Sequence, residues 1–124
     1  MTFVLCALSS RADKSSYAQV IKERDTVLSQ IVAAREASRS AGIADEEAIR
    51  SAQLALYSFR RDIASTPTEK IKNQELIVKL CEKKLAEMKA RASAGTGDII
   101  DGLVATDCFL QAKQVLEELQ LNEK

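Results

Sequence analysis

Through residues 71–92 the side chains Ile71, Gln74, Val78, Cys81, Leu85, Met88 and Ala92 recur at alternating steps of three and four, with Gln74 the one polar member. That spacing lines one side of an α-helix and fits no strand, whose faces alternate every second residue. The same rhythm returns at Ile49, Ala52, Leu56, Phe59 and Ile63, and less regularly at Tyr17, Val20, Val27, Ile31 and Ala34. A helix with one apolar stripe gains its stability by burying that stripe against another helix. The chain is therefore expected to be all-α: an antiparallel helical bundle of about four helices, or a kinked coiled-coil hairpin.

Composition agrees. A chain of 124 residues has the size of one domain and can bury about two-thirds of its unfolded surface. Aromatic residues make up only 4%, tryptophan is absent, and four glycines and one proline are the only breakers. This is a helical alphabet.

The punctuation places the elements. Residues 1–14 form an apolar N-terminal segment and 15–122 a helical domain. The first helix is expected from Ser15 or Ser16, either of which can cap it, to about Ser40. Gly42 can take the left-handed conformation that ends it, with Ile43 placed for the accompanying apolar contact. Asp45 caps a second helix over about 46–64, with Glu46 and Glu47 matched to its dipole. Thr66-Pro67-Thr68-Glu69 reads as a capping box with proline at the first helical position. The third helix should run from there to about Ala92. Ser93-Ala94-Gly95-Thr96-Gly97 then breaks the chain, and Asp98 caps a fourth helix to about Gln120. Residues 99–110 contain only Asp101 and Asp107 as charges, so this stretch is expected to be the most buried element.

Short connections between long helices force antiparallel neighbours. The breaks at Gly42 and at Gly95 to Gly97 lie at similar distances from Pro67. They meet either as true turns of a compact bundle or as kinks in a two-arm hairpin. The bundle is preferred, because a single extended hairpin leaves a wide apolar face uncovered. Residues 67–93 carry seven basic and four acidic side chains, net +3, and 94–124 carry two basic and six acidic, net −4. The third and fourth helices are thus expected to attract one another.

Chemistry is thinly represented. Histidine is absent, which removes the usual general base and the commonest metal ligand, and no cofactor motif stands in its place. Asp45, Glu46 and Glu47 are a cap and dipole partners rather than a metal cluster. Gly95-Thr96-Gly97-Asp98 lacks both the phosphate-loop pattern and a preceding strand. Cys6, Cys81 and Cys108 are an odd number without close spacing, which points to reduced thiols in a cytoplasmic setting. The opening MTFVLCALSS has no basic flank and is far shorter than a membrane span.

Eighteen basic and eighteen acidic side chains leave no net field to draw the chain to nucleic acid or an acidic membrane. The expected function is a non-catalytic protein-interaction module, a chaperone, adaptor or small subunit of a larger assembly, that binds another protein or a second copy of itself. Its expected contact residues are Phe3, Val4 and Leu5 in the N-terminal segment, with Tyr57, Arg60 and Arg61, types enriched at interface hot spots. The alternative is a nucleic-acid-associated accessory factor using the basic face of residues 70–91, through Lys79, Lys83 and Lys84. The segments IKNQELIV (71–78) and FLQAKQVLEEL (109–119) resemble parts of the tubulin-folding cofactor A family, small helical chaperones that hold β-tubulin. The likeness covers under a fifth of the chain and transfers no functional residue.

Overall fold

The computed structural model describes residues 13–42 and 45–123. They form four helices, α1 (Lys14–Ser40), α2 (Glu46–Ile63), α3 (Pro67–Ser93) and α4 (Ile99–Glu123), and the described residues include no strand. No described helix is long and apolar enough to cross a membrane.

The boundaries follow local chemistry. Asp45 accepts from the Glu47 and Ala48 amides at the start of α2. Thr66 Oγ1 accepts from Glu69 N at 3.2 Å, with Pro67 in the first turn of α3. No bond from the Glu69 carboxylate to the Thr66 amide accompanies it among the described residues, so the box closes on one side only. Asp98 Oδ1 accepts from Ile100 N at 2.9 Å and begins α4. The cap of α1 is Asp13, which takes the Ser16 amide at 2.7 Å, and not Ser15 or Ser16. A carboxylate three residues ahead of that amide outcompetes a hydroxyl inside the first turn.

Both glycine breaks are true turns. Gly42 and Gly95 have φ of 79° and 75°, the left-handed region that L side chains resist. At Gly95 the end is sealed by two reversed bonds, Gly95 N to Ala92 O at 3.1 Å and Thr96 N to Arg91 O at 2.9 Å. Ile43, expected to brace the first turn, lies outside the described residues.

Cross-helix bonds fix the topology. Arg39 with Glu46, Gln53 with Glu36 and Arg60 with Asp25 run α1 and α2 in opposite directions. Arg50 with Glu87 and Arg61 with Gln74 do the same for α2 and α3. Gln74 with Ala112 and Cys81 with Cys108 do so for α3 and α4. The result is an antiparallel helical bundle in which each helix lies against its neighbours in sequence: α1 on α2, α2 on α3, α3 on α4. Among the described residues no pair of Cα atoms closes within 8 Å between α1 and α4, α1 and α3, or α2 and α4. The array is open, with α1 and α4 as its edges.

The core sits on the inner helices. Ile49, Ala52, Leu56 and Phe59 of α2 are buried, as their rhythm predicts, whereas Ile63, the last of that rhythm, is exposed at the helix end. In α3 the buried residues are Gln74, Ile77 and Cys81; Val78, Leu85 and Met88 are half-buried and Ala92 is exposed. The stripe is thus rotated toward Ile77, because α2 and α4 both press on α3 and widen its contact face. Ile77, Cys81 and Ala112 form a cluster against which Tyr57, Val78, Cys108 and Phe109 pack.

Two expectations fail at the edges. Far from being the most buried element, the start of α4 leaves Ile99, Ile100, Leu103 and Val104 between 57% and 77% exposed, and α4 buries only Ala105 and Ala112. A helix with one neighbour can hide one stripe, and α4 is apolar over a wider arc than α3 can cover. The α1 stripe likewise faces out: Tyr17, Val20, Val27 and Ile31 are 42–62% exposed. The half-buried side of α1 instead carries Ile21, Asp25, Leu28, Ser29, Val32 and Glu36. Asp25, Ser29 and Glu36 on that side bond Arg60 and Gln53 of α2, and these directional bonds choose the face.

Candidate functional site: a groove between α2 and α4

Because α2 and α4 both lie on α3 without meeting, the three helices enclose a groove with α3 as its floor. Three hollows that share lining residues make up its length. At the end that holds the glycine turns it opens into a cleft of about 700 Å³, bordered by the start of α2, by Lys84 to Arg91 of α3, and by Asp101 and Val104 of α4. Its middle narrows to a hollow of about 60 Å³ in which Leu54, Leu80, Cys81 and Cys108 supply the apolar wall and Glu47, Arg50, Ser51 and Lys84 the polar one. Its far end closes on Gln74, Ala112 and Val115 beneath Arg61.

The cleft is lined by a chain of alternating charges. Lys84 Nζ reaches Glu47 at 3.3 Å, Glu47 reaches Arg50 at 3.0 Å, Arg50 reaches Glu87 at 3.0 Å and Glu87 reaches Arg91 at 3.2 Å. Burial works against the charges of Arg50 and Glu47, but their mutual bonds outweigh it. The Arg50 pKa is raised, with Glu87 as its other partner, and the Glu47 pKa is lowered, with Lys84 as its other partner. Arg50 Nε is buried without a partner, the one such side-chain atom among the described residues. The guanidinium is held by its two terminal nitrogens alone, an incomplete satisfaction that costs stability.

At the far end Gln74 is 1% exposed and fully engaged. Arg61 Nη1 donates to its Oε1 at 2.7 Å, and its Nε2 donates to the Ala112 carbonyl at 2.8 Å. One amide thereby ties α2, α3 and α4 together, which explains a polar residue within an apolar rhythm. Between the two ends, the thiols of Cys81 and Cys108 lie 3.6 Å apart. Burial foremost, with the neighbouring Cys108, pushes the Cys81 thiol up to about 12. Cys81 is therefore a protonated, apolar part of the floor. Among the described residues no group of three or more potential ligands converges as a metal site.

The residues expected to bind a partner are placed as follows. Phe3, Val4 and Leu5 lie outside the described residues. Tyr57 is half-buried against the Ile77 cluster. Arg60 is bound by Asp25 at 2.9 Å and by Ser29 at 3.1 Å, and Arg61 by Gln74 and Asp62, so both guanidiniums already brace the fold. Lys79 and Lys83 are exposed and four residues apart on the outer side of α3, whereas Lys84 turns into the cleft toward Glu47. The structure thus separates Lys84 from the other two.

The regional charges also pair differently from expectation. No ion pair joins α3 to α4 among the described residues: the α3 charges bond those of α2, and Asp101, Asp107, Glu117 and Glu118 of α4 remain without an ion-pair partner there. The interface of α3 with α4 is instead made by Gln74, Ile77, the two thiols and Phe109, small and apolar groups that leave long charged side chains no room to meet.

Sequence reasoning missed the groove. Periodicity assigns residues to faces, but Leu54 and Leu80 fall outside the main stripes and line the groove only because α2 and α4 stand apart. The signal that pointed to the cleft was Glu46-Glu47 beside Arg50, which dipole matching alone had accounted for. No family model, no curated protein and no solved structure matches this chain, so no function passes to it from a relative, and the likeness of residues 71–78 and 109–119 to the tubulin-folding cofactors gains no support.

Proposed function

We propose that this chain is a non-catalytic protein-interaction module, a chaperone, adaptor or small subunit of a larger assembly, that receives an amphipathic helix of its partner in the groove between α2 and α4. The observation that carries this reading is the groove itself: an apolar wall of Leu54, Leu80, Cys81 and Cys108 leading into a charged cleft. A helix laid in such a groove buries an apolar stripe along the floor and presents its flanking charges to the mouth. The Lys84–Glu47–Arg50–Glu87–Arg91 chain offers both signs, which sets the direction in which a partner lies more than the strength with which it binds.

The test is site-specific photo-crosslinking in the native source. A photoreactive amino acid at Leu54, in the groove, should capture one defined protein, and the same probe at Lys79, on the outer side of α3, should not. Equal yields at both sites would refute the groove assignment. Retardation of random-sequence DNA or RNA by the intact chain, lost with rising salt and with charge reversal at Lys79 and Lys83, would favour the nucleic-acid reading instead.

A further inference from the structure

The two edges of the array carry complementary, uncovered faces. On α1 the outward stripe holds Tyr17, Val20, Val27 and Ile31 on one helical side, with Arg24 standing between Val20 and Val27. On α4 the outward arc holds Ile99, Ile100, Leu103 and Leu110. Exposed apolar residues gathered on one side of a helix in this way mark an association surface. The charges differ in sign. Helix α1 bears five basic and three acidic side chains, net +2, and α4 one basic and five acidic, net −4. The α4 carboxylates Asp107, Glu117 and Glu118 make no ion pair among the described residues, and neither do Lys14 and Arg35 of α1.

We propose that the chain assembles with itself edge to edge, α1 of one copy packing on α4 of the next. Within one chain these helices are two helices apart and do not meet, so only another molecule can bring them together. A like pairing of α4 with α4 sets net −4 against net −4, and α1 with α1 sets net +2 against net +2. Only the mixed pairing is attractive. Such a contact joins different surfaces of two copies, so it propagates until the ring closes. It is independent of the groove, because neither α1 nor Ile99, Leu103 and Leu110 of α4 line it.

The test is the mass of the intact chain in solution, by sedimentation or light scattering, together with two face variants. One carries Val27→Asp and Ile31→Asp, the other Leu103→Asp and Leu110→Asp. All four positions are exposed, so helical content and melting should hold. The intact chain should assemble at roughly 100 µM, weakly enough to be reversible and less well as salt rises. Each variant alone should be monomeric, with association weakened about a hundredfold or more. Mixed together, the two should form a one-to-one dimer, since one supplies an intact α4 face and the other an intact α1 face. A monomeric intact chain, a variant that still assembles alone, or a mixture that stays monomeric would each overturn the proposal. So would assembly that appears only after residues 1–10 are deleted, which would assign one face to the chain's own first residues.

Discussion

Gln74 offers the sharpest test of how the three inner helices are joined. Its side chain is fully buried, its Oε1 must face Arg61 because a guanidinium only donates, and its Nε2 therefore faces the Ala112 carbonyl. Gln74→Met keeps the volume and removes both hydrogen bonds. Arg61 is 24% exposed at its side chain and keeps Asp62 at 2.9 Å, while the Ala112 carbonyl stays in the α4 ladder, so neither partner is stranded. The cost should be about 1 kcal/mol. Gln74→Ala also opens a cavity at a closed site, and should cost about 2–5 kcal/mol. Gln74→Glu sets a carboxylate oxygen against a carbonyl where an amide donated, and should cost about 3 kcal/mol at neutral pH despite Arg61. That last penalty has a pH signature. Burial raises the folded-state pKa of the new carboxyl above its unfolded value of about 4.3, so the folded state holds the proton more tightly and stability rises as pH falls through the interval between the two. The protonated acid can again donate to Ala112. Urea unfolding followed by circular dichroism, at neutral pH and near pH 5, measures all three. Equal losses for the Met and Ala variants, or a Glu variant whose loss does not change with pH, would refute the three-helix tie.

Thr66→Ala should lower stability by about 1 kcal/mol, whereas Glu69→Ala should change it by less than about 0.5 kcal/mol, since only the threonine arm of the box is formed; chemical denaturation decides between them. At Gly95 no atom lies within 4 Å of an added Cβ, so Gly95→Ala should cost about 1 kcal/mol from its φ of 75° alone, and no measurable loss would disprove the left-handed turn. The Arg60 hydrogen bond holds the Asp25 carboxyl below its ordinary range, and the bonds of Arg50 and Lys84 to Glu47 outweigh its burial and do the same there. Their contribution to stability is present above the unfolded carboxylate pKa of about 4 and is lost as pH falls through the lower folded values, so Asp25→Asn should flatten the acid limb of a pH–stability curve. Cys81, with its thiol pushed up to about 12, should be alkylated by iodoacetamide at pH 8 far more slowly than a free model thiol, and peptide mapping that finds equal rates would place it outside the floor.

Most helix boundaries were legible in the sequence because each depends on atoms within a few residues; the start of α1 was the exception, where Asp13, and not Ser15 or Ser16, supplies the cap. Asp45, Thr66-Pro67 and Gly95 cap or end helices by bonds to their own neighbouring amides and carbonyls, and those bonds form wherever the helix comes to lie. The α2 stripe was legible for a related reason: Ile49, Ala52, Leu56 and Phe59 make a single narrow face, and one face leaves one way to be buried. Tertiary structure decided the rest. Helix α1 has two adjacent apolar stripes, and the bonds of Asp25, Ser29 and Glu36 to α2 chose between them. Helix α4 is apolar almost all round in its first half, a pattern that reads as full burial, yet its position at the edge of an open array leaves most of that surface in water. The groove, the Gln74 tie and the approach of Cys81 to Cys108 join residues from different helices. Periodicity says which residues share a face of one helix; which neighbour covers that face, and whether any does, is set by how the helices are arranged in space.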